Sequence, residues 1–209
     1  MSLITKLFHY VLLTSYKNKI DESHGLGHSM NVLNFAHSIY EEEVKKNQLL
    51  ENQEKIVYVS AILHDMCDNK YIDEEKGMQD IESFLGNKMT DSEIGAVKKI
   101  ISTMSYSKVK KNGFPDLGIY QNAYHIVREA DLLTAYDFDR CMIYNMHKKD
   151  GNVYDAFCDA HALFEKRVLK HNEDNLFLTD YGKVKSVDLH YQSLTRIENW
   201  KTIMKRPIV

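Results

Sequence analysis

The sequence predicts an all-α fold: a single compact helical bundle over residues 1–209 with an extra C-terminal helix. Three observations carry this expectation. Only two prolines, Pro115 and Pro207, and nine glycines punctuate 209 residues, too few breakers for many short strands. Apolar residues recur at spacings of three and four along most of the chain. Strict two-residue alternation, the mark of a half-buried strand, is sustained nowhere.

The elements follow in order. Leu3 to Leu13 is apolar on one side, interrupted by Lys6 and His9, and lacks a signal-peptide cleavage pattern, so it reads as the first packed helix. Ser23 to Gly27, with two glycines, opens a helix in which His28, Val32, Phe35, Ala36 and Ile39 share one face. Val57, Ala61, His64, Asp65 and Asp68 share the next face, and Asp68-Asn69-Lys70 is expected to end that helix. Ile94, Val97, Ile100, Ile101 and Met104 make a third stripe. Lys108 to Gly118, holding Gly113, Pro115 and Gly118, is expected to be the longest loop. Tyr124, Val127, Asp131 and Ala135 make a fourth stripe. Turns are expected at Gly151-Asn152 and at Thr179 to Gly182. Val184, Val187, Tyr191, Leu194, Ile197 and Met204 then line a long terminal helix, which can pack in cis or join a homodimer.

Composition bounds the function. A chain of this length buries about two-thirds of its unfolded surface, so it needs no disulfide or structural metal to fold. The net charge is −3, and the short basic pieces Lys108 to Lys111 and His147 to Lys149 read as solvated surface, so no nucleic-acid polymer is expected as a partner. Three cysteines, Cys67, Cys141 and Cys158, have no paired spacing, which points to reduced thiols and a cytoplasmic location. No run approaches the length of a membrane span.

Polar groups on apolar stripes are the informative anomaly. Asp131 lies between Val127 and Ala135, flanked by Ala130, Leu132 and Leu133, and an ionised carboxylate buried without a partner is very costly. The apolar run Val57 to Leu63 stops at a base and an acid side by side, His64-Asp65, with Asp68 one turn on. His28 begins the stripe of Val32, Phe35, Ala36 and Ile39, and His24 lies one turn earlier. Two His and two Asp suit a borderline-to-hard divalent ion such as manganese, iron, nickel, cobalt or zinc. An ion so held can lower the pKa of a water and neutralise a phosphoryl oxygen. Read from the residues alone, a competing account also stands: satisfied histidines near the core, and Asp131 paired with Arg128 or Arg140.

The pattern His28, then His64-Asp65, then Asp131 resembles the HD-domain superfamily of metal-dependent phosphohydrolases. Ser23–Val32 (SHGLGHSMNV) is similar to the family's first His segment, Ala61–Tyr71 (AILHDMCDNKY) to its His-Asp segment, and Arg128–Arg140 (READLLTAYDFDR) to the segment carrying its last Asp. Met104–Lys108 (MSYSK) resembles the stretch between them. The resemblance spans about residues 20 to 140, leaving about 141–209 as a helical extension, and small stand-alone members, some of them nucleotide pyrophosphohydrolases, are the nearest in kind.

The resemblance implies His28, His64, Asp65 and Asp131 as ligands of one divalent ion (Mn, Co, Ni, Fe, Mg or Zn). It implies Asp68 as the group that orients or deprotonates water, and Lys70 as a phosphate contact. His24 is a candidate to polarise a phosphate or to give a proton to the leaving group, Asn31 occupies a position that is substrate-facing in such proteins, and Arg140 is a candidate phosphate ligand or a partner of Asp137 or Asp139. The implied activity is hydrolysis of a phosphoester or phosphoanhydride in a small phosphorylated molecule, with a nucleotide as the expected class. The chain departs from the family's pattern at Gly25, where relatives often carry Asp, and at Asn31, where they often carry Arg. These departures motivate the alternative of a nucleotide-binding or sensory module with little turnover. His125 alone stands between the His-Asp pair and Asp131 as an additional histidine, so one metal is expected rather than two. Glu129 is expected on the surface, Cys67 is not expected as a nucleophile, and Tyr71 and Tyr106 are the tyrosines expected near a pocket.

Overall fold

The computed structural model describes residues 1–205, and the expected breaker Pro207 lies outside the described residues. Ten α-helices and no strand occur among them: α1 Leu3–Asn18, α2 Leu26–Glu43, α3 Glu54–Leu63, α4 Glu74–Leu85, α5 Asp91–Thr103, α6 Tyr106–Asn112, α7 Gln121–Thr134, α8 Phe138–Lys148, α9 Val153–Lys166 and α10 Asp180–Lys205. Short 3₁₀ turns lie at Gln48–Asn52, Gly118–Tyr120 and Val168–Lys170. No described helix is long and apolar enough to cross a membrane.

Starts and stops follow local chemistry. Thr90 and Glu93 form a reciprocal capping box at the head of α5. Asp137 caps α8 and Asn152 caps α9, each accepting the N–H three residues on. Helices α2, α3 and α7 pack against one another, α3 also meets α5 and α1, α8 pairs with α9, and α10 lies against α7, α8, α9 and α2. Their apolar faces, including Val32, Ala36 and Ile39 of α2, Val57 and Ile62 of α3, and Ile126, Val127 and Ala130 of α7, join one buried core.

Four expectations are corrected. Helix α3 stops at Leu63 rather than near Asp68, because the His64 ring takes the Ala61 carbonyl that a continuing helix would give to a backbone N–H. The chain then turns tightly, with Met66 N–H on Leu63 O and Asp68 N–H on Asp65 O. Gly77 of α4 packs on this turn, where a Cβ would lie 2.8 Å from Cys67 Cα. The expected loop from Lys108 is shorter, since Ser105 caps α6, Lys110 and Lys111 suit its C-terminal end, and the breakers begin only at Gly113 (φ 74°).

Thr179 to Gly182 is not a turn but the head of α10, where Thr179 Oγ1 accepts the Gly182 N–H. Most of the apolar stripe of that helix faces outward, with Val184 68% and Tyr191 66% exposed, and its Ile197 and Met204 meet the core. Helix α10 packs instead through Gly182, Ser186, Ser193 and Ile197. Small residues permit close approach, and the serine hydroxyls are satisfied by donating to Asn172 Oδ1 and to the Tyr136 carbonyl.

Candidate metal centre

The α2–α3–α7 packing brings four polar side chains to one point. His28 sits in the first turn of α2, which starts after Gly25 with no side-chain cap. His64 closes α3, Asp65 begins the turn after it, and Asp131 lies on α7. His28 Nε2 and His64 Nε2 are 3.1 Å apart. Asp65 Oδ2 lies 3.2 and 3.4 Å from those two nitrogens, and Asp131 Oδ1 lies 3.5 and 3.6 Å from them. Ligand atoms held about 2.1 Å from one ion lie roughly 3.0–3.4 Å apart for octahedral to tetrahedral angles. The spacings among His28, His64 and Asp65 meet that requirement, and Asp131 lies just outside it.

Two further observations fit a cation. Asp65 Oδ2 is buried with no hydrogen-bond partner, an arrangement that a positive ion satisfies. His64 Nδ1 lies 2.9 Å from the Ala61 carbonyl, so it carries the proton and leaves the Nε2 lone pair facing the cluster. Burial opposes charge on His64, yet Asp65 and Asp131 beside it raise its pKa well above the ordinary value, so the two carboxylates favour a positive charge at this point, carried by a proton on Nε2 or by a cation in that proton's place. Burial likewise works against ionised Asp65 and Asp131, and the adjoining imidazoles hold both well below the usual carboxylate range. The group His28–His64–Asp65 can therefore hold a metal ion, with Asp131 beside it.

These residues open onto a cavity of about 460 Å³. Its lining includes Lys70, Lys108, Arg140 and Arg167 against Asp65, Asp68, Glu74, Asp131 and Asp137. A divalent ion turns this balance from net acidic to net basic. Asp68 Oδ1 accepts the Lys70 backbone N–H and Oδ2 accepts from Lys70 Nζ at 3.0 Å. Lys70 Nζ lies 3.4 Å from His24 Nε2. Arg140 Nη1 donates to the Ser23 carbonyl at 3.1 Å and lies 2.6 Å from His28 Nδ1. Asp139, the alternative partner of Arg140, pairs with Arg196 instead.

His24, Asp68, Lys70 and Arg140 thus line the same cavity as the four metal candidates. Asn31 is exposed and outside the lining, because it points away from the stripe that buries His28 and Val32. Cys67 reaches the wall, but burial pushes its thiol up to about 12, which suits packing rather than attack. His125 is turned away, bonded to Gln121 and beside Phe114. Glu129 is a correction: it is fully buried, pairs with Arg128, and accepts from Leu178 N–H, Thr179 N–H and Thr179 Oγ1.

Sequence reasoning missed Arg167, Tyr144 and Asp21. Arg167 follows Glu165-Lys166 and reads as helix surface, although the apolar Val168-Leu169 after it is a signal that the chain turns inward there. Tyr144 joins the wall beside His24. Asp21 accepts from Ser23 N–H, Ser23 Oγ and, at 2.5 Å, Tyr71 Oη. Tyr71 acts through this network rather than on the wall itself, whereas Tyr106 is part of the lining.

No family model matches the chain, and no curated protein does. A solved structure from Lactobacillus plantarum, a structural genomics target, is similar at a TM-score of 0.70 and 21% identity, over 96% of each chain. The likeness shows that the all-α architecture extends over nearly the whole chain.

Proposed function

We propose that the chain is a metal-dependent phosphohydrolase of the HD type, cleaving a phosphoester or phosphoanhydride bond in a small phosphorylated molecule of the nucleotide class. The observation that supports this most is the convergence of His28, His64 and Asp65 at ligand spacing, with Asp131 beside them, in a cavity whose Lys and Arg side chains would outweigh its carboxylates once a divalent ion is bound. The resemblance of the three segments that carry those ligands adds to it. The unpaired cysteines fit a cytoplasmic setting.

A divalent ion at this cluster, manganese being the first candidate, would supply positive charge to a phosphoryl oxygen and lower the pKa of a water. The chain's own groups do the rest. Asp68 orients the attacking water and accepts its proton, while Lys70 and Arg140 hold phosphoryl oxygens. His24 gives a proton to the leaving oxygen. Its Nδ1 faces the hydroxyl oxygens of Ser23 and Tyr71 at 2.7 and 3.1 Å, and both hydroxyls donate their protons to Asp21. Those oxygens are left to accept from Nδ1–H, so Nε2 is the nitrogen that exchanges a proton on the cavity side.

The test is metal analysis of the purified protein with a phosphate-release screen over nucleotides in Mn²⁺, Co²⁺, Ni²⁺ and Mg²⁺, repeated with Asp65→Ala. Stoichiometric metal and turnover that the variant loses are expected. Metal and nucleotide binding without turnover would favour a sensory module, and a protein that takes up no metal sinks the proposal.

A further inference from the structure

The four cations of the cavity are not equivalent. Lys70 is paired with Asp68 at 3.0 Å and Lys108 with Glu74 at 2.5 Å. Arg140 already spends a donor on Ser23 O and lies against His28. Arg167 has no carboxylate within ion-pair distance among the described residues. It sits at the C-terminal end of α9, its guanidinium 4.1 Å from the centre of the Tyr106 ring. Tyr106 is fixed in turn, its hydroxyl bonded to Asp174 at 3.4 Å and approached by Lys110 at 3.2 Å. Behind it His171 is fully buried, and burial and the Arg167 charge hold it neutral, its pKa lowered to about 3.

A largely enclosed guanidinium with unspent donors is costly without an anion. Burial pulls the Arg167 pKa down, and Asp131 is the acid that most opposes this. A metal ion held by His28, His64 and Asp65 with Asp131 beside them would offset the Asp131 charge and leave Arg167 still less compensated. The planar fork suits the oxygens of a phosphoryl group, and stacking on Tyr106 presets its plane.

We propose that Arg167 is a substrate-binding residue for a phosphoryl group, with Tyr106 as its positioning residue. It is carried by the helical extension beyond the segments that hold the ligands. This rests on the phosphohydrolase reading for what the cavity takes.

The test titrates inorganic phosphate into the Mn²⁺-loaded full chain by calorimetry, with manganese content measured for each protein. Arg167→Gln is expected to weaken phosphate binding roughly tenfold to a hundredfold at unchanged metal content. Arg167→Lys, which keeps the charge but not the fork, should weaken it several-fold. Tyr106→Ala should also weaken it, and Tyr106→Phe, which keeps the stack, should restore it. Wild-type affinity in Arg167→Gln overturns the proposal. If that variant fails to fold, wild-type affinity in Arg167→Lys overturns it, as does a wild type that binds no phosphate. Turnover judges the hydrolase reading separately. Phosphate bound through Arg167 with no nucleotide hydrolysed sinks that reading alone, and hydrolysis with an unchanged KM in Arg167→Gln sinks this one alone.

Discussion

Gly182 lies so close to Glu129 that a Cβ on it would stand 2.3 Å from Glu129 Oε2 and 2.9 Å from Thr179 Oγ1. The Glu129 carboxylate fills the space a side chain would need, and there it accepts the N–H groups of Leu178 and Thr179 at the head of α10. A buried acid at a helix N-terminus meets the positive end of the helix dipole. This joint ties α10 to α7, the helix that carries Asp131.

The joint predicts the sign of a substitution that helix propensity gets backwards. Ala in place of a helical Gly ordinarily stabilises by up to about 1 kcal/mol. Here Gly182→Ala must displace either a hydrogen-bonded carboxylate or the start of α10, and a loss of about 1–3 kcal/mol is expected. Thermal unfolding should show a lower Tm, by roughly 2–4 °C per kcal/mol for a chain of this size. A Tm equal to or above wild type would show that the joint gives way at no cost.

His171 predicts a pH dependence. It is fully buried, neither ring nitrogen has a partner, and burial with the nearby Arg167 charge lowers its pKa to about 3. The unfolded chain takes a proton at the ordinary value near 6.5, which the native state refuses until about pH 3. Between those values the unfolded state binds more protons, so this residue costs stability as pH falls through the window, by up to about 1.4 kcal/mol per pH unit. Above pH 6.5 it contributes no slope. Urea midpoints at pH 7.5 and 5.0 should fall less steeply in His171→Phe than in wild type. Parallel slopes would mean that His171 is protonated or hydrated in the native state.

Much of this arrangement is legible in the sequence, and what is not has physical reasons. The stripes around His28, Ile94 and Asp131 fold as helices because period and burial agree there. The α10 stripe misleads because hydrophobicity alone does not say which face is covered. That helix approaches the bundle through Gly182, Ser186 and Ser193, whose smallness matters more than their polarity. Glu129 misleads for a related reason: its partners Leu178 and Thr179 lie 49 and 50 positions away, and no local pattern announces a buried acid satisfied from so far along the chain. The four metal candidates are readable because each is a polar residue on an apolar stripe. Arg167 carries no such mark, and only the fold brings it to the same cavity.

The cluster predicts a metal-dependent Tm. An ion that binds the native state alone stabilises it by about 2.7 kcal/mol at a hundredfold excess over its Kd, a shift of roughly 5–10 °C here. Removing metal with a chelator should reverse the shift. His64→Ala should unfold at the same Tm with and without Mn²⁺, since it loses the nitrogen that lies 3.4 and 3.6 Å from the two carboxylates. An equal Mn²⁺ shift in wild type and His64→Ala would place the ion elsewhere.

The network around His24 predicts a separation of rate from binding. Tyr71 and Ser23 hand their protons to Asp21 and turn their oxygens toward His24 Nδ1. That fixes the tautomer and aims Nε2 at the cavity without touching the metal candidates. Tyr71→Phe removes one of the two acceptors, and Asp21→Asn removes the group that orients both. For a substrate released as phosphate, each variant is expected to lower kcat by roughly tenfold, within the range that a positioned acid contributes, with metal content and phosphate affinity unchanged. Nitrogen chemical shifts of the His24 ring give the check that does not depend on turnover. Wild type should show a proton on Nδ1, and Asp21→Asn a mixture of tautomers. A neutral wild-type ring protonated on Nε2 would show that the Asp21 network does not set the His24 tautomer, whatever the rate of the variants.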